Sequence, residues 1–159
     1  MKSILYTSAA LVALTATAMA QPRLDDEQIV VVATRLATPV SQIASSVTVI
    51  TAADIEARQQ RSLPDVLRNV PGVNIVQTGG AGGQTSLFLR GSNASHTKVL
   101  VDGIDIGDPA TPSGAADISK FLSGDIARVE VLRGPQGALY GSDAIGGVVN
   151  TSPPRARDR

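Results

Sequence analysis

The residues with most chemical potential are few and scattered. His96 is the sole histidine, set in Asn93-Ala94-Ser95-His96. An imidazole acts as a general base beside a nucleophile and an orienting group, and no G-x-S-x-G motif accompanies this one. It reads either as such a base or, more simply, as a histidine on a surface turn. Asp102, Asp105 and Asp108 recur every third residue in DGIDIGD. That is not the alternating order of a calcium loop, so the trio is either a set of turn-forming acids or a loose ligand set for a hard cation. Residues 79–83 read Gly-Gly-Ala-Gly-Gly. No Gly-Lys-Ser/Thr follows and the dinucleotide spacing is missing, so the loop has no phosphate-binding signature. The chain has no cysteine, which excludes disulfides and thiolate metal sites. No catalytic constellation forms. The chain is expected not to be an enzyme, with no catalytic residues, no metal site and no cofactor.

Arg90 and Arg133 differ from these. Each closes a β-patterned run, SLFLR or IARVEVLR, and each is followed at once by glycine. They read either as ordinary strand-end residues or as two guanidinium forks aimed outward at acceptors on a surrounding partner.

Several elements must position these groups. SVTVIT (46–51) alternates as a strand. Thr51 with Asp54 has the spacing of a capping box, for a helix running to about Gln59. Ser62, Pro64 and Asp65 mark a second helix start, and Pro71-Gly72 stops it. Strands follow at 73–76, 86–90 and 99–101, the last ending in the turn Asp102-Gly103. Asp117 is placed to cap a short helix through Leu122. Residues 126–133 alternate Val129 and Val131 against Arg128 and Glu130, and 148–150 is a last short strand. Gly137, Gly141, Gly146 and Gly147 between them call for tight turns and close backbone approach. Short strands and short helices thus alternate, joined by long loops.

Composition bounds the partners. Fourteen basic residues balance fourteen acidic ones, so no field attracts nucleic acid. A hydrophobic share of 43% suffices for a core of Val, Ile, Leu and Ala. Residues 1–20 carry Lys2, an apolar run and Ala18-Met19-Ala20, the pattern of a cleaved export signal. Residues 21–45 read as a flexible tail holding one isolated apolar run, Ile29-Val30-Val31-Val32-Ala33. Such a run is either a first strand of the domain or an edge awaiting a partner strand. Residues 46–151 form the domain, and 152–159 (SPPRARDR) an irregular tail.

Five segments in this order resemble the plug domain of TonB-dependent outer-membrane receptors: 28–35 (QIVVVATR), 47–54 (VTVITAAD), 63–75 (LPDVLRNVPGVNI), 87–102 (LFLRGSNASHTKVLVD) and 128–150 (RVEVLRGPQGALYGSDAIGGVVN). RGSNASH (90–96), GAAD (114–117) and YGSDAIGG (140–147) look most like the cobalamin (vitamin B12) receptor type. The resemblance implies an α+β plug, a small mixed sheet with short helices and long loops, inside a β-barrel. It implies a TonB box at Gln28, Ile29, Val30, Val31, Val32 and Ala33, which adds a strand to a periplasmic TonB-type protein. It makes Arg90 and Arg133 barrel-facing, and puts Gln84, Ser86, Asn93 and Ser113 on loops facing a cobalamin or ferric siderophore ligand. The expected function is the plug of a receptor for active uptake of a scarce nutrient, exported to the outer membrane. Receptors of this kind continue past the position of Asn150 into their barrel, and this sequence turns Pro/Arg-rich there. It therefore reads as a truncated receptor with no transport of its own or, alternatively, as a stand-alone periplasmic TonB-binding module.

Overall fold

The computed structural model describes residues 29–154, apart from 33, 81 and 112. The export signal at 1–20, Gln28, Ala33 and the tail from 155 lie outside the described residues.

Two short strands, β1 (Ile29–Val30) and β2 (Thr38–Pro39), pair antiparallel. A single 3-10 turn at Val40–Gln42 leads to β3 (Ser46–Thr51). Helix α1 (Ala52–Ala57) starts on a complete capping box: the Asp54 N–H donates to Thr51 Oγ1, and the Thr51 N–H donates back to Asp54 Oδ2. Burial alone would raise the Asp54 carboxyl, but the Thr51 side-chain and backbone hydrogen bonds, the dominant influences, carry it below its ordinary value. Helix α2 (Leu63–Arg68) is capped by Ser62, with Pro64 in its first turn. The hairpin β4 (Val73–Gln77) and β5 (Thr85–Leu89) follows, with Val73 opposite Leu89. Strand β6 (Thr97–Val101) turns through Asp102 and Gly103, both at positive φ, into β7 (Ile104–Asp105). A two-residue loop with both residues left-handed is the type I′ geometry that suits the twist of a hairpin. Last come β8 (Arg128–Arg133), a one-turn helix α3 (Gly137–Tyr140) and β9 (Gly147–Ser152).

The main sheet has the order β3-β8-β9-β6-β7. Its pairs are antiparallel except β6 with β9, which run parallel. Alternation in the strands supplies both faces. Val129, Val131, Val149 and Val99 enter one core with Ile55, Leu63, Leu67, Leu87 and Leu89 from the helices and the β4–β5 hairpin. Leu132, Val148 and Leu100 point the other way, into a second core closed by Val30 and Val32.

Four expectations change. The expected 21–45 tail is not apart from the domain where it is described: Val30, Val32, Val40 and Ile43 pack on the second face of the sheet, where Leu100, Leu132 and Val148 need a cover. The helix expected from Asp117 does not form. The Asp117 carboxylate instead accepts from the Thr85 N–H, 32 residues away, and from the Ser119 N–H, both at 3.0 Å. Burial pushes that carboxyl up, but these bonds and the nearby Lys120 charge carry it below its ordinary value. The final strand runs to Ser152, whose carbonyl accepts from the Ala127 N–H, so the domain edge lies past the expected 151. Helix α3 was not expected, being one turn between glycines. Among the described residues no helix is long and apolar enough to cross a membrane.

Candidate functional site

The structure gathers Arg90 and Arg133, 43 positions apart in the chain, at one end of the sheet. A Cβ built on Gly72 would lie 3.5 Å from Arg90 Cγ and 3.9 Å from Arg133 Cδ, so both side chains flank that glycine. Gly72 takes φ +77°, where a side chain is strained in any case. The Arg90 N–H donates to the Gly72 carbonyl at 2.7 Å, fixing the turn after β5 to the turn before β4. Arg133 Nη1 donates to the Pro71 carbonyl at 2.8 Å, and Nη2 donates to Thr48 Oγ1. Its Nε is buried without a hydrogen-bond partner. Burial lowers the affinity of the Arg133 guanidinium for its proton, and the positive charge of Arg90 adds to that. Arg90 holds φ +49°, a left-handed conformation that costs a non-glycine residue about 1–2 kcal/mol. Two cations thus sit together at a strained turn, and no carboxylate pairs with either among the described ion pairs.

Residues 30–32 make the second notable arrangement. Val30 and Val32 are buried, while Val31 is 47% exposed. The chain leaves the strand after Val30 and bends at Val31 and Val32. The Val31 and Val32 N–H groups both donate to Glu130 Oε2, at 3.2 and 3.1 Å. The Val32 carbonyl accepts from the Tyr140 hydroxyl at 2.8 Å. Glu130 is only 3% exposed, and its Oε1 lies 2.9 Å from Arg128 Nε. Burial pushes the Tyr140 phenol up, so it stays a donor at neutral pH. The Arg35 guanidinium sits 4.7 Å above the Tyr140 ring. Neither Glu130 nor Tyr140 stands out as a site residue in the sequence. The available signal was an acid in the middle of an otherwise apolar VEVL strand.

Of the four ligand-side candidates, one lines a cleft. Ser113 lines a polar cleft of about 360 Å³ with Ser95, His96, Lys98, Asp105 and Asp108 among others, whereas Gln84, Ser86 and Asn93 are not in its lining. Lys98 spans that cleft, 2.6 Å from Asp105 and 3.4 Å from Asp143. The hydrogen bond from Lys98 to Asp105 raises the ammonium pKa, reinforced by the charges of both acids. His96 is exposed, with its carbonyl accepting from the Gly146 N–H. Asp105 and Asp108 bind the N–H groups two residues on, as turn-forming acids do. No group of three or more His, Asp or Glu side chains able to hold a metal occurs among the described residues.

Residues 39–148 match the profile of the TonB-dependent Receptor Plug Domain family. Solved structures agree. The ferripyoverdine receptor of the outer membrane of Pseudomonas aeruginosa superposes at TM-score 0.67 and 25% identity, covering 80% of this chain and 16% of its own. The ferric enterobactin receptor of the same organism gives 0.56 at 32% identity, with 71% and 18% covered. The ferric yersiniabactin uptake receptor of Yersinia pestis gives 0.53 at 28%, with 70% and 17% covered. The chain therefore spans about a sixth of the length of these receptors.

Proposed function

The chain belongs to the TonB-dependent receptor plug domain family, and from that premise we propose that it is the plug of an outer-membrane receptor that takes up a ferric siderophore and is coupled to a TonB-type protein. The family match over 39–148, with the α+β fold it implies, carries the reading. The family is one of transport receptors, and no catalytic family is indicated. The siderophore class follows the relatives, whose names are those of ferric siderophore receptors. Nothing in them supports cobalamin, despite the RGSNASH and YGSDAIGG segments.

Three roles belong to this reading. Residues 28–33 form the strand offered to the periplasmic protein, with main-chain hydrogen bonds supplying affinity and the side chains supplying fit. Arg90 and Arg133 face acidic groups on the inner wall of a barrel. Their crowding at Gly72, with no carboxylate paired to either among the described residues, is what such a wall would relieve. Gln84, Ser86, Asn93 and Ser113 face the ligand side, Ser86 from strand β5 rather than from the loop expected for it.

The test is binding of the full chain to the purified periplasmic domain of a TonB-type protein, beside an Ile29→Pro variant. Proline removes a main-chain donor, so the variant is expected to bind at least about tenfold more weakly. No binding by the unaltered chain, or equal binding by both, refutes strand addition.

A further inference from the structure

We propose that Glu130 and Tyr140 form a latch that holds residues 30–32 on the plug, in direct competition with a partner strand. The inference rests on the reading that this segment is offered to a TonB-type protein, and it adds what keeps the segment from being offered freely.

The argument is one of shared groups. Strand addition uses main-chain N–H and C=O groups of an extended segment. Here the N–H groups of Val31 and Val32 are spent on Glu130 Oε2, and the carbonyl of Val32 on the Tyr140 hydroxyl. Two successive N–H groups reach one oxygen only because the chain bends there, whereas successive N–H groups of an extended strand point to opposite sides. The bound conformation on the plug and the extended conformation on a partner are therefore mutually exclusive at Val31 and Val32.

The latch also explains a buried charge. A carboxylate within an apolar layer is costly unless it is fully paired. Glu130 is paired with Arg128 on one oxygen and with the segment on the other. Release would leave Oε2 without those two donors and would expose Val30 and Val32, which fill the second core beside Leu132 and Val148. Both effects favour the docked state. The affinity for a partner strand is then reduced in proportion to the small fraction of undocked chain. Arg35, stacked on Tyr140 at φ +57°, closes the turn that follows and steadies the ring whose hydroxyl holds Val32.

The experiment uses the full chain with Glu130→Gln and, separately, Tyr140→Phe. Glu130→Gln keeps the shape but leaves one uncharged acceptor oxygen in place of two, so Arg128 and the segment can no longer both be satisfied, and Tyr140→Phe removes a single oxygen. Two quantities are read: amide exchange at residues 30–32, and affinity for the purified periplasmic domain of a TonB-type protein. Glu130→Gln is expected to raise both about tenfold, the equivalent of losing one hydrogen bond to a charged group, and Tyr140→Phe about fivefold. Unchanged exchange in a folded variant overturns the latch, whatever the partner does. Faster exchange with unchanged or weaker partner affinity overturns the competition. Should Glu130→Gln fail to fold, Tyr140→Phe decides by the same criteria. The Ile29→Pro comparison stays separate because Ile29 makes neither latch contact: equal binding by that variant refutes strand addition itself, not the hold on Val31 and Val32.

Discussion

Replacing Arg90 by glycine should stabilise this chain, and the reason lies in two costs that the structure places on one residue. The first is local. Arg90 holds φ +49°, and an L-residue in the left-handed region gives up about 1–2 kcal/mol. Glycine adopts that φ freely but orders a more flexible chain, which takes back about 0.5–1 kcal/mol. The net local gain is about 0–1.5 kcal/mol. The second cost is electrostatic. Arg90 and Arg133 flank the same glycine, and the charge of Arg90 weakens the hold of Arg133 on its proton. Arg90 is exposed, so solvent screens the repulsion to a few tenths of a kcal/mol, about the scale of a surface pair. Together these give about 1 kcal/mol, or a rise of roughly 3–5 °C in Tm for a domain of this size. Gln59, at φ +52° just after α1, carries the same backbone cost without the charge. Gln59→Gly is therefore the control. Thermal unfolding of both variants at low and at 1 M salt separates the two costs, because the Debye length falls to about 3 Å at 1 M. Arg90→Gly should gain more than Gln59→Gly at low salt, with the difference closing at high salt. A loss of stability in Arg90→Gly would refute the reasoning. A gain no larger than that of Gln59→Gly at low salt would remove the repulsion, and with it the argument that the pair awaits an external acid.

Two further outcomes follow from the packing. Asp54→Ala breaks the capping box of α1 and should cost about 1 kcal/mol at pH 7. Because the folded-state pKa of Asp54 is lowered, its contribution is present above the ordinary carboxylate range and is lost as pH falls through the folded value. The gap between variant and wild-type urea midpoints should thus narrow below about pH 4, and a gap that widens there would contradict the assignment. Gly147→Ala places a Cβ 2.2 Å from the Leu132 carbonyl oxygen at φ +146°. It should cost at least about 2 kcal/mol by forcing β9 from β8 at the start of their ladder, visible as a lower Tm by circular dichroism.

What the sequence determined by itself was local and paired over short range. Thr51 with Asp54, Ser62 with Pro64 and Asp65, and Asp102-Gly103 each satisfy their own backbone within a few residues, so their geometry is legible from spacing. The alternation in β3 and β8 likewise marks strands, and the ordered motifs point to the family later shown by the profile match. The sequence also contained an acid where a strand is otherwise apolar, without saying what would satisfy it. The tertiary structure alone decided the rest. Asp117 does not cap a helix because the Thr85 N–H, 32 residues away, claims its carboxylate. Glu130 is buried because Val31 and Val32 arrive from 99 and 98 positions away to pair with it. Arg90 and Arg133 meet because the turn after β5 and the end of β8 both close on Gly72. A hydrogen-bonding group is indifferent to the separation of its partner along the chain, and only the folded topology sets which partner lies within 3 Å.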